Sequence, residues 1–323
     1  MIDTSAVSMV CASHSPLLYC YARPPADLGA LEAALAQRRD AIAEMAPDVI
    51  VAFISDHFSG FFMDVMPAFC VGTRAAAVDD IGGFPGELDV PHELALDLVA
   101  HLRHEDLDPA VSYDMRVDHA ISQTLTILTG GVAETPVVPV FINCITRPFV
   151  PFRRSRLLGE AVGRFAAALD LRVLLVASGG MSHNPTRYYP AYGSSTPEVS
   201  AYQLAGQAGE STFTTDEWLE RLREMHIEGA HMLVDGSRTR TDIKLNPVVD
   251  RQFLRIVTED ALDEADRWEP EAMVDKGGIG WMELHTWLAA CAANRSAGGA
   301  PPVVDFYAEM LEIGIAAGVI HAG

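Results

Sequence analysis

Lysine is nearly missing from this chain of 323 residues: only Lys244 and Lys276 are present, and the other basic side chains are arginines. Bases of both kinds number 23 against 44 acids, a formal net charge of −21. Such a surface repels phosphate backbones and anionic bilayers, which argues against nucleic acid and membranes as partners. It also repels small anions at long range, so an acidic substrate would have to meet a local arginine. Cysteine is sparse too. Cys11, Cys20, Cys70, Cys144 and Cys291 are odd in number, far apart and never in a Cys-x-x-Cys pair. That excludes a disulfide framework or a cysteine-based zinc ribbon, and leaves the expectation of free thiols in a reducing compartment. No uncharged apolar run reaches the ~18 residues a membrane-spanning helix needs. No basic segment followed by an apolar one opens the chain. The expectation is a cytoplasmic protein.

What is there is an ordinary globular mixture, 49% hydrophobic with 25 glycines and 19 prolines. A chain this long buries a large core without staples. Apolar runs of strand length, Val7–Ala12, Val49–Ile54, Val137–Ile142 and Val173–Ala177, alternate with segments of helical spacing. One such segment follows Asp27 and carries Leu28, Leu31, Leu35, Ile42 and Met45. Others carry Leu94, Leu98 and Leu102, then residues 120–128, then Leu157, Leu158, Val162 and Phe165. This alternation predicts an α/β fold with a mainly parallel central sheet flanked by helices. From Thr186 the texture changes. Residues 186–212, rich in Tyr, Ser, Gly, Thr and Pro, read as a long loop or flap, and residues 213–295 read as helical, with Trp218, Leu222, Met225 and Phe253 as core candidates. Trp281–Ala293 reads as a helix with Glu283 in its first turn. After Gly298–Pro302, a short apolar C-terminal helix is expected. The whole, residues 1–323, is expected to form one domain with a helical C-terminal part.

Four histidines stand out because each follows a strand-like run: His14, His57, His119 (behind Ala110–Tyr113, less directly) and His183. Loops leaving the carboxyl ends of parallel strands converge on one crevice. Any one of these histidines alone would be an ordinary polar loop residue; the repetition is what points to a metal site with acid/base groups beside it. Two imidazoles and one carboxylate on one face of Fe(II) leave coordination positions open for oxygen chemistry. His14 and His57 are the candidate nitrogens. Glu283, which follows the turn Gly277–Gly280, is the attractive carboxylate among 44 acids. Asp56 and Asp118 each adjoin a histidine in extended chain, point away from it, and are expected to order loops or orient ligands. His92, His101, His104, His226, His231 and His321 fall on helical or terminal segments and are expected at the surface or in packing. His285, two residues from Glu283 on the same helix, should point elsewhere.

These residues carry a resemblance. The chain resembles the class III extradiol ring-cleaving dioxygenases in Ser13-His14-Ser15-Pro16-Leu17, Asp56-His57-Phe58-Ser59-Gly60-Phe61-Phe62 and Ser178-Gly179-Gly180-Met181-Ser182-His183. It does so also in Asp64–Cys70, Val111–Tyr113 with Val117-Asp118-His119, Pro139–Asn143, Leu158–Phe165, Leu245–Pro247, and Glu283 with Thr286-Trp287. The resemblance implies Fe(II) held by His14, His57 and Glu283, with His119 and His183 as the acid/base pair. It implies a catecholic substrate and O2, both oxygen atoms entering a ring-opened product, and a homo-oligomer, which the apolar segment 302–320 would help to build. The expected substrate is a 3-substituted catechol such as 2,3-dihydroxyphenylpropionate or 2,3-dihydroxycinnamate. Its carboxylate would meet an arginine, for which Arg147, Arg153, Arg154 and Arg187 are candidates, or a backbone donor. Tyr188, Tyr189 and Tyr192 depart from the family pattern and are expected to reshape the pocket mouth; Phe58–Cys70 offers an apolar lining for the ring. Two rivals remain at this point: a metal-binding protein without oxygenase activity, and a zinc hydrolase using the same His/His/Glu set. Zinc has no redox chemistry, so metal identity separates them.

Overall fold

The structure, a computed structural model, describes residues 7–210 and 213–323. In chain order its strands are β1 (Val7–Ala12), β2 (Val49–Ile54), β3 (Phe69–Gly72), β4 (Ala75–Ala77), β5 (Gly86–Glu87), β6 (Ala110–Ser112), β7 (Met115–Val117), β8 (Val137–Ile142), β9 (Val173–Ser178), β10 (Val303–Met310) and β11 (Ile315–Ala322). The helices are α1 (Leu28–Met45), α2 (His92–His104), α3 (His119–Thr129), α4 (Phe152–Ala167), α5 (Pro197–Ala205), α6 (Thr215–Asp235), α7 (Pro247–Thr258), α8 (Pro270–Gly277) and α9 (Leu284–Ser296).

Eight strands form the main sheet in the order β10-β11-β1-β9-β2-β8-β3-β6. Its centre, β1-β9-β2-β8, is parallel throughout, as the apolar runs predict. Residues of β2, β8 and β9 are buried along their whole length, because helices cover the strands. Helix α9, backed by α4, packs on β1, β9 and β2, while α3, backed by α1, packs on β9 and β2. Register is what matters for the site. Ala12 pairs with Ser178, and Phe53 with Ala177, so β1, β9 and β2 end level with one another. Their following loops therefore leave the sheet at one height.

Three expectations are corrected. The C-terminal apolar run is not a helix but the hairpin β10–β11, with β11 antiparallel to β1 (Met9 opposite Ala322, Ala12 opposite Val319). Ile315–Ala322 is almost continuously apolar and almost wholly buried. Periodicity cannot tell such a run from a buried helical turn, and the decision came from an open edge on β1. Segment 302–320 is thus largely used inside the chain, with β10 as the sheet edge. The stretch 186–212 is likewise not all loop. It contains α5, started by Thr196, whose Oγ1 accepts from Val199 N at 3.4 Å; Ser211 and Thr212 lie outside the described residues. The strand just before His119 is β7, in a second small sheet β5-β4-β7, rather than the run at 110–113.

A second, smaller core sits over the carboxyl ends of the sheet. It joins Phe58, Tyr188, Tyr189, Val199, Tyr202, Trp218, Leu219 and Leu222. Tyr202 stacks on Trp218 with ring centroids 4.3 Å apart. Helix α6 enters this layer through a reciprocal cap between Thr214 and Glu217. Among the described residues no helix is long and apolar enough to cross a membrane.

Candidate functional site

The level strand ends deliver three of the four histidines. His14 follows β1, His57 follows β2, and His183 closes the turn Gly179–His183 after β9. His119 arrives differently, as the first residue of α3, whose cap Asp118 accepts from Ala120 N at 2.9 Å. Glu283 ends a 3-10 turn, Ile279–Glu283, that leads into α9. All five side chains are buried, Glu283 completely. His14, His57, His119 and His183 line one pocket. His57 and His119 stack at 4.7 Å, and His14 stands edge-on to both, at 5.8 and 5.3 Å.

The histidines share one feature: each has its Nδ1 engaged outside the pocket. His14 Nδ1 lies 2.8 Å from Ser178 Oγ, which in turn meets Thr124 Oγ1 at 2.7 Å. His57 Nδ1 is 3.1 Å from Asp118 Oδ2, which also accepts the His57 backbone N–H at 2.7 Å. His119 Nδ1 pairs with Asp80. His183 Nδ1 donates to the Met181 carbonyl at 2.8 Å. A hydrogen bond at Nδ1 sets the tautomer and the ring plane, and leaves Nε2 as the working nitrogen. The His183 ring is held between two glycines. A Cβ on Gly180 would come within 2.4 Å of it and one on Gly280 within 2.1 Å, so no other residue fits at either position without displacing the ring.

Three of these nitrogens lie within 4 Å of one carboxylate. Glu283 Oε1 is 3.0 Å from His57 Nε2 and 3.5 Å from His14 Nε2, and Oε2 is 3.9 Å from His183 Nε2. Ser55 Oγ donates to Oε1 at 3.0 Å and Gly180 N–H to Oε2 at 2.7 Å. Burial, the largest influence, would push the Glu283 carboxyl up, yet the charges and hydrogen bonds of His14 and His57 together hold it well below the usual range. Burial drives His14 and His183 down. Burial also opposes the charged forms of His57 and His119, but Asp118 with Glu283, and Asp80 with Asp118, outweigh it and raise both.

The donor set fits a divalent metal. Two donors at right angles on an ion with bonds of about 2.1 Å stand roughly 3.0 Å apart. The separations from Glu283 Oε1 to the two Nε2 atoms, 3.0 and 3.5 Å, are close to that figure. Ring nitrogens of His14, His57 and His119 also lie within 4.8 Å of one another, a second possible triad sharing two members with the first. Only the first of these sets includes a carboxylate. No Lys or Arg pairs with Glu283 among the described residues. A buried carboxylate among imidazoles calls for a cation at that point.

A family model described as the catalytic LigB subunit of aromatic ring-opening dioxygenase matches residues 8–312. The chain belongs to this family. Its activity is aromatic ring opening by a dioxygenase, and the family implies a metal cofactor. Curated relatives agree over nearly the full length. A 2,3-dihydroxyphenylpropionate/2,3-dihydroxicinnamic acid 1,2-dioxygenase of Paraburkholderia xenovorans is 38% identical over 98% of this chain and 97% of its own. Proteins of the same name from a Mycobacterium species and from Rhodococcus rhodochrous are also 38% identical, covering 93% and 94% of this chain and the same shares of their own. A solved structure of an uncharacterized Escherichia coli K12 protein aligns with 98% of this chain and 100% of its own at 15% identity and a TM-score of 0.49, and bears no weight here.

All five residues singled out in the sequence thus meet in one place. Asp118 orients His57, and Asp56 orders the following loop by accepting from Ser59, Gly60 and Phe61 N–H at 3.0–3.1 Å. His285 points away, stacked on Phe152 at 4.1 Å and bonded to Ser155. Residue patterns alone did not find Asp80, Ser55 or Ser178, because a buried carboxylate or hydroxyl 39 to 228 residues from its partner leaves no local signal. His226, expected only in packing or at the surface, is buried and lines the pocket, with Tyr188 stacked on it at 3.7 Å. Tyr189 covers His57 at 4.8 Å. The four candidate arginines do not line this pocket. Arg147 is taken by Glu271, Arg187 by Glu228, and Arg153 faces Asp266 at 3.9 Å. Arg238, not among them, does line it. Phe58, Met63 and Met66 line a neighbouring cavity of about 510 Å3 with Tyr192. Pro185 and Tyr189 form the wall common to both.

Proposed function

We propose that this chain, as one catalytic domain, carries out Fe(II)-dependent extradiol cleavage of a 3-substituted catechol, with 2,3-dihydroxyphenylpropionate or 2,3-dihydroxycinnamate as substrate. The observation that carries it is the set of three Nδ1-anchored imidazoles within 4 Å of one buried carboxylate, with a fourth, His119, stacked on His57. His14, His57 and Glu283 hold the iron. Bound there, Fe(II) would supply a redox centre able to engage both the catechol and O2.

His183 and His119 manage protons, and their anchors set opposite duties. His183 donates Nδ1–H to a neutral carbonyl and keeps a free lone pair on Nε2. It is suited to accept a hydroxyl proton from the catechol as the substrate chelates. His119 is paired through Nδ1 with the Asp80 carboxylate, which favours the imidazolium. It is suited to deliver a proton as the C–C bond beside the hydroxyls breaks. Tyr189 and the aromatic layer above it exclude water from the reacting ring. The acidic surface and the sparse, scattered thiols suit a cytoplasmic protein that handles no nucleic acid.

The test is anaerobic reconstitution with Fe(II), then admission of air with 2,3-dihydroxyphenylpropionate while the visible spectrum and oxygen uptake are recorded. A yellow ring-opened product formed one-to-one with O2 is expected. Iron-loaded protein that consumes no oxygen with this or any other 3-substituted catechol would return the choice to a non-oxygenase metal protein. Activity with zinc and without O2 would favour the hydrolase.

A further inference from the structure

Arg238 is the one guanidinium lining the histidine pocket, and no anion touches it; Asp242, bonded to Thr239, acts on it only through space. Its side chain is buried to 8% exposure, and among the described residues no carboxylate lies within 4.0 Å of it. A charge held in that environment without a counter-ion is costly, and folded proteins rarely keep one. The chain has 44 acids from which a partner might have come, and the arginines nearer the rim, Arg147 and Arg187, each have one.

Arg238 is nonetheless firmly placed. Nη1 donates to Tyr188 Oη at 2.9 Å and Nη2 to the Asn184 carbonyl at 3.1 Å. Its backbone N–H donates to the Met232 carbonyl at 2.9 Å, just past the end of α6. The guanidinium carbon stands 5.2 Å from the centre of the Tyr188 ring, which also stacks on His226. Helix α6 makes room for this arrangement at Gly229, where a Cβ would lie 2.1 Å from the Tyr188 hydroxyl. Both hydrogen-bond partners are neutral, and a guanidinium has five N–H donors in a planar fork that matches a carboxylate. Asn184 adjoins His183, so the free donors belong to the same pocket as the acid/base and metal-binding side chains.

We propose that Arg238 is the recognition residue for a carboxylate on the substrate's side chain, aimed by Tyr188 and Asn184. This rests on the catechol reading above and sharpens it: the substrate's side chain is anionic. The rival is the neighbouring, mostly apolar cavity beyond Tyr189, whose one guanidinium, Arg147, is already paired with Glu271, and which would instead take a bulky uncharged substituent. The surface charge of −21 gives the local cation its purpose, since long-range attraction cannot bring an anionic substrate in.

The test compares dissociation constants of 2,3-dihydroxyphenylpropionate and its uncharged isostere 3-propylcatechol, by anaerobic calorimetric titration of the Fe(II)-loaded protein. Parent protein should favour the carboxylate at least 30-fold. Arg238→Leu should reduce that ratio below threefold, with Arg238→Lys and Tyr188→Phe in between. Because a ratio is read, a general loss of affinity cancels, and the two milder variants stand in should Arg238→Leu fail to fold. An unchanged ratio in Arg238→Leu, a parent that does not discriminate, or a parent that binds neither catechol would each overturn the proposal. The catechol-cleavage reading fails by a separate sign: protein that binds both catechols yet forms no ring-opened product when O2 is admitted.

Discussion

The pocket has two walls built in opposite ways. Its floor is the carboxyl edge of β1, β9 and β2, where every working side chain is fixed by a directed polar contact: Ser178 to His14, Asp118 to His57, Met181 to His183, Ser55 and Gly180 to Glu283. Its roof is the aromatic layer of residues 188–222 with Phe58, where stacking dominates: Tyr202 on Trp218, Tyr188 on His226, Tyr189 over His57. Hydrogen bonds fix an atom's position and protonation to within tenths of an ångström, which a metal site and proton transfer demand. Stacked rings fill volume and tolerate shape change, which suits substrate choice. The floor is therefore read as chemistry and the roof as selectivity.

Four substitutions press on that division. The largest effect should come from the floor. Glu283→Gln removes the only carboxylate within reach of both His14 and His57 Nε2 in the proposed triad, and should abolish iron retention and cut turnover by about 10³ or more. Iron content after gel filtration checks this, and stoichiometric iron in the variant would make the all-histidine triad the true site. Next, His183→Asn and His119→Asn should retain iron and bind catechol, yet lose roughly 10²–10⁴ in kcat. Loss of iron in either would move that residue from proton transfer to ligation. In the roof, Trp218→Ala empties the centre of the smaller core and should cost about 3–5 kcal/mol in denaturant unfolding. Iron content should not change; if it falls, the two walls are one cooperative unit.

The smallest effect concerns pH. Asp250 on α7 accepts from Ser182 N and Oγ, Trp281 Nε1 and Tyr307 Oη at 2.6–3.1 Å, yet burial lifts its carboxyl to about 6. A carboxyl whose folded value lies above its unfolded one binds its proton more tightly in the folded state. Its contribution is fully present below about pH 4 and is lost as pH rises through 6, up to about 3 kcal/mol. Unfolding free energies of parent and Asp250→Asn, measured from pH 4 to 8, should therefore diverge: the parent loses stability relative to the variant as pH rises. The slope carries the test, since asparagine also satisfies fewer of the four donors. Parallel curves would mean that the four donors cancel the burial.

Legibility followed the same division. The floor could be read in advance because a buried parallel strand has a local signature and its end predicts where the next polar residue goes; His14, His57 and His183 were visible this way. Glu283 was visible through its glycine turn and the family pattern. The roof was not legible. Residues 186–212 read as loop, although α5 crosses them, because Thr196-Pro197 starts a helix whose apolar face is Val199 and Tyr202 against Trp218, an element 16 residues further on. The C-terminal hairpin was misread for a related reason: its strand character depends on an unpaired edge of β1, over 300 residues away in sequence.

Chain-local chemistry, then, settled the alternation of strands and helices, the acidic surface, and which histidines would stand at strand ends. Periodicity, charge and turn residues act over a few positions and need no fold to be read. Folding alone decided which polar groups anchor each imidazole, that β11 rather than a helix closes the sheet, and that Arg238 rather than Arg147 or Arg187 faces the histidines. Those are choices among many equivalent acids, hydroxyls and arginines. Only the three-dimensional register of β1, β9 and β2, and the packing of α6 against the turns Pro16–Tyr19 and Leu311–Ile313, singles one out.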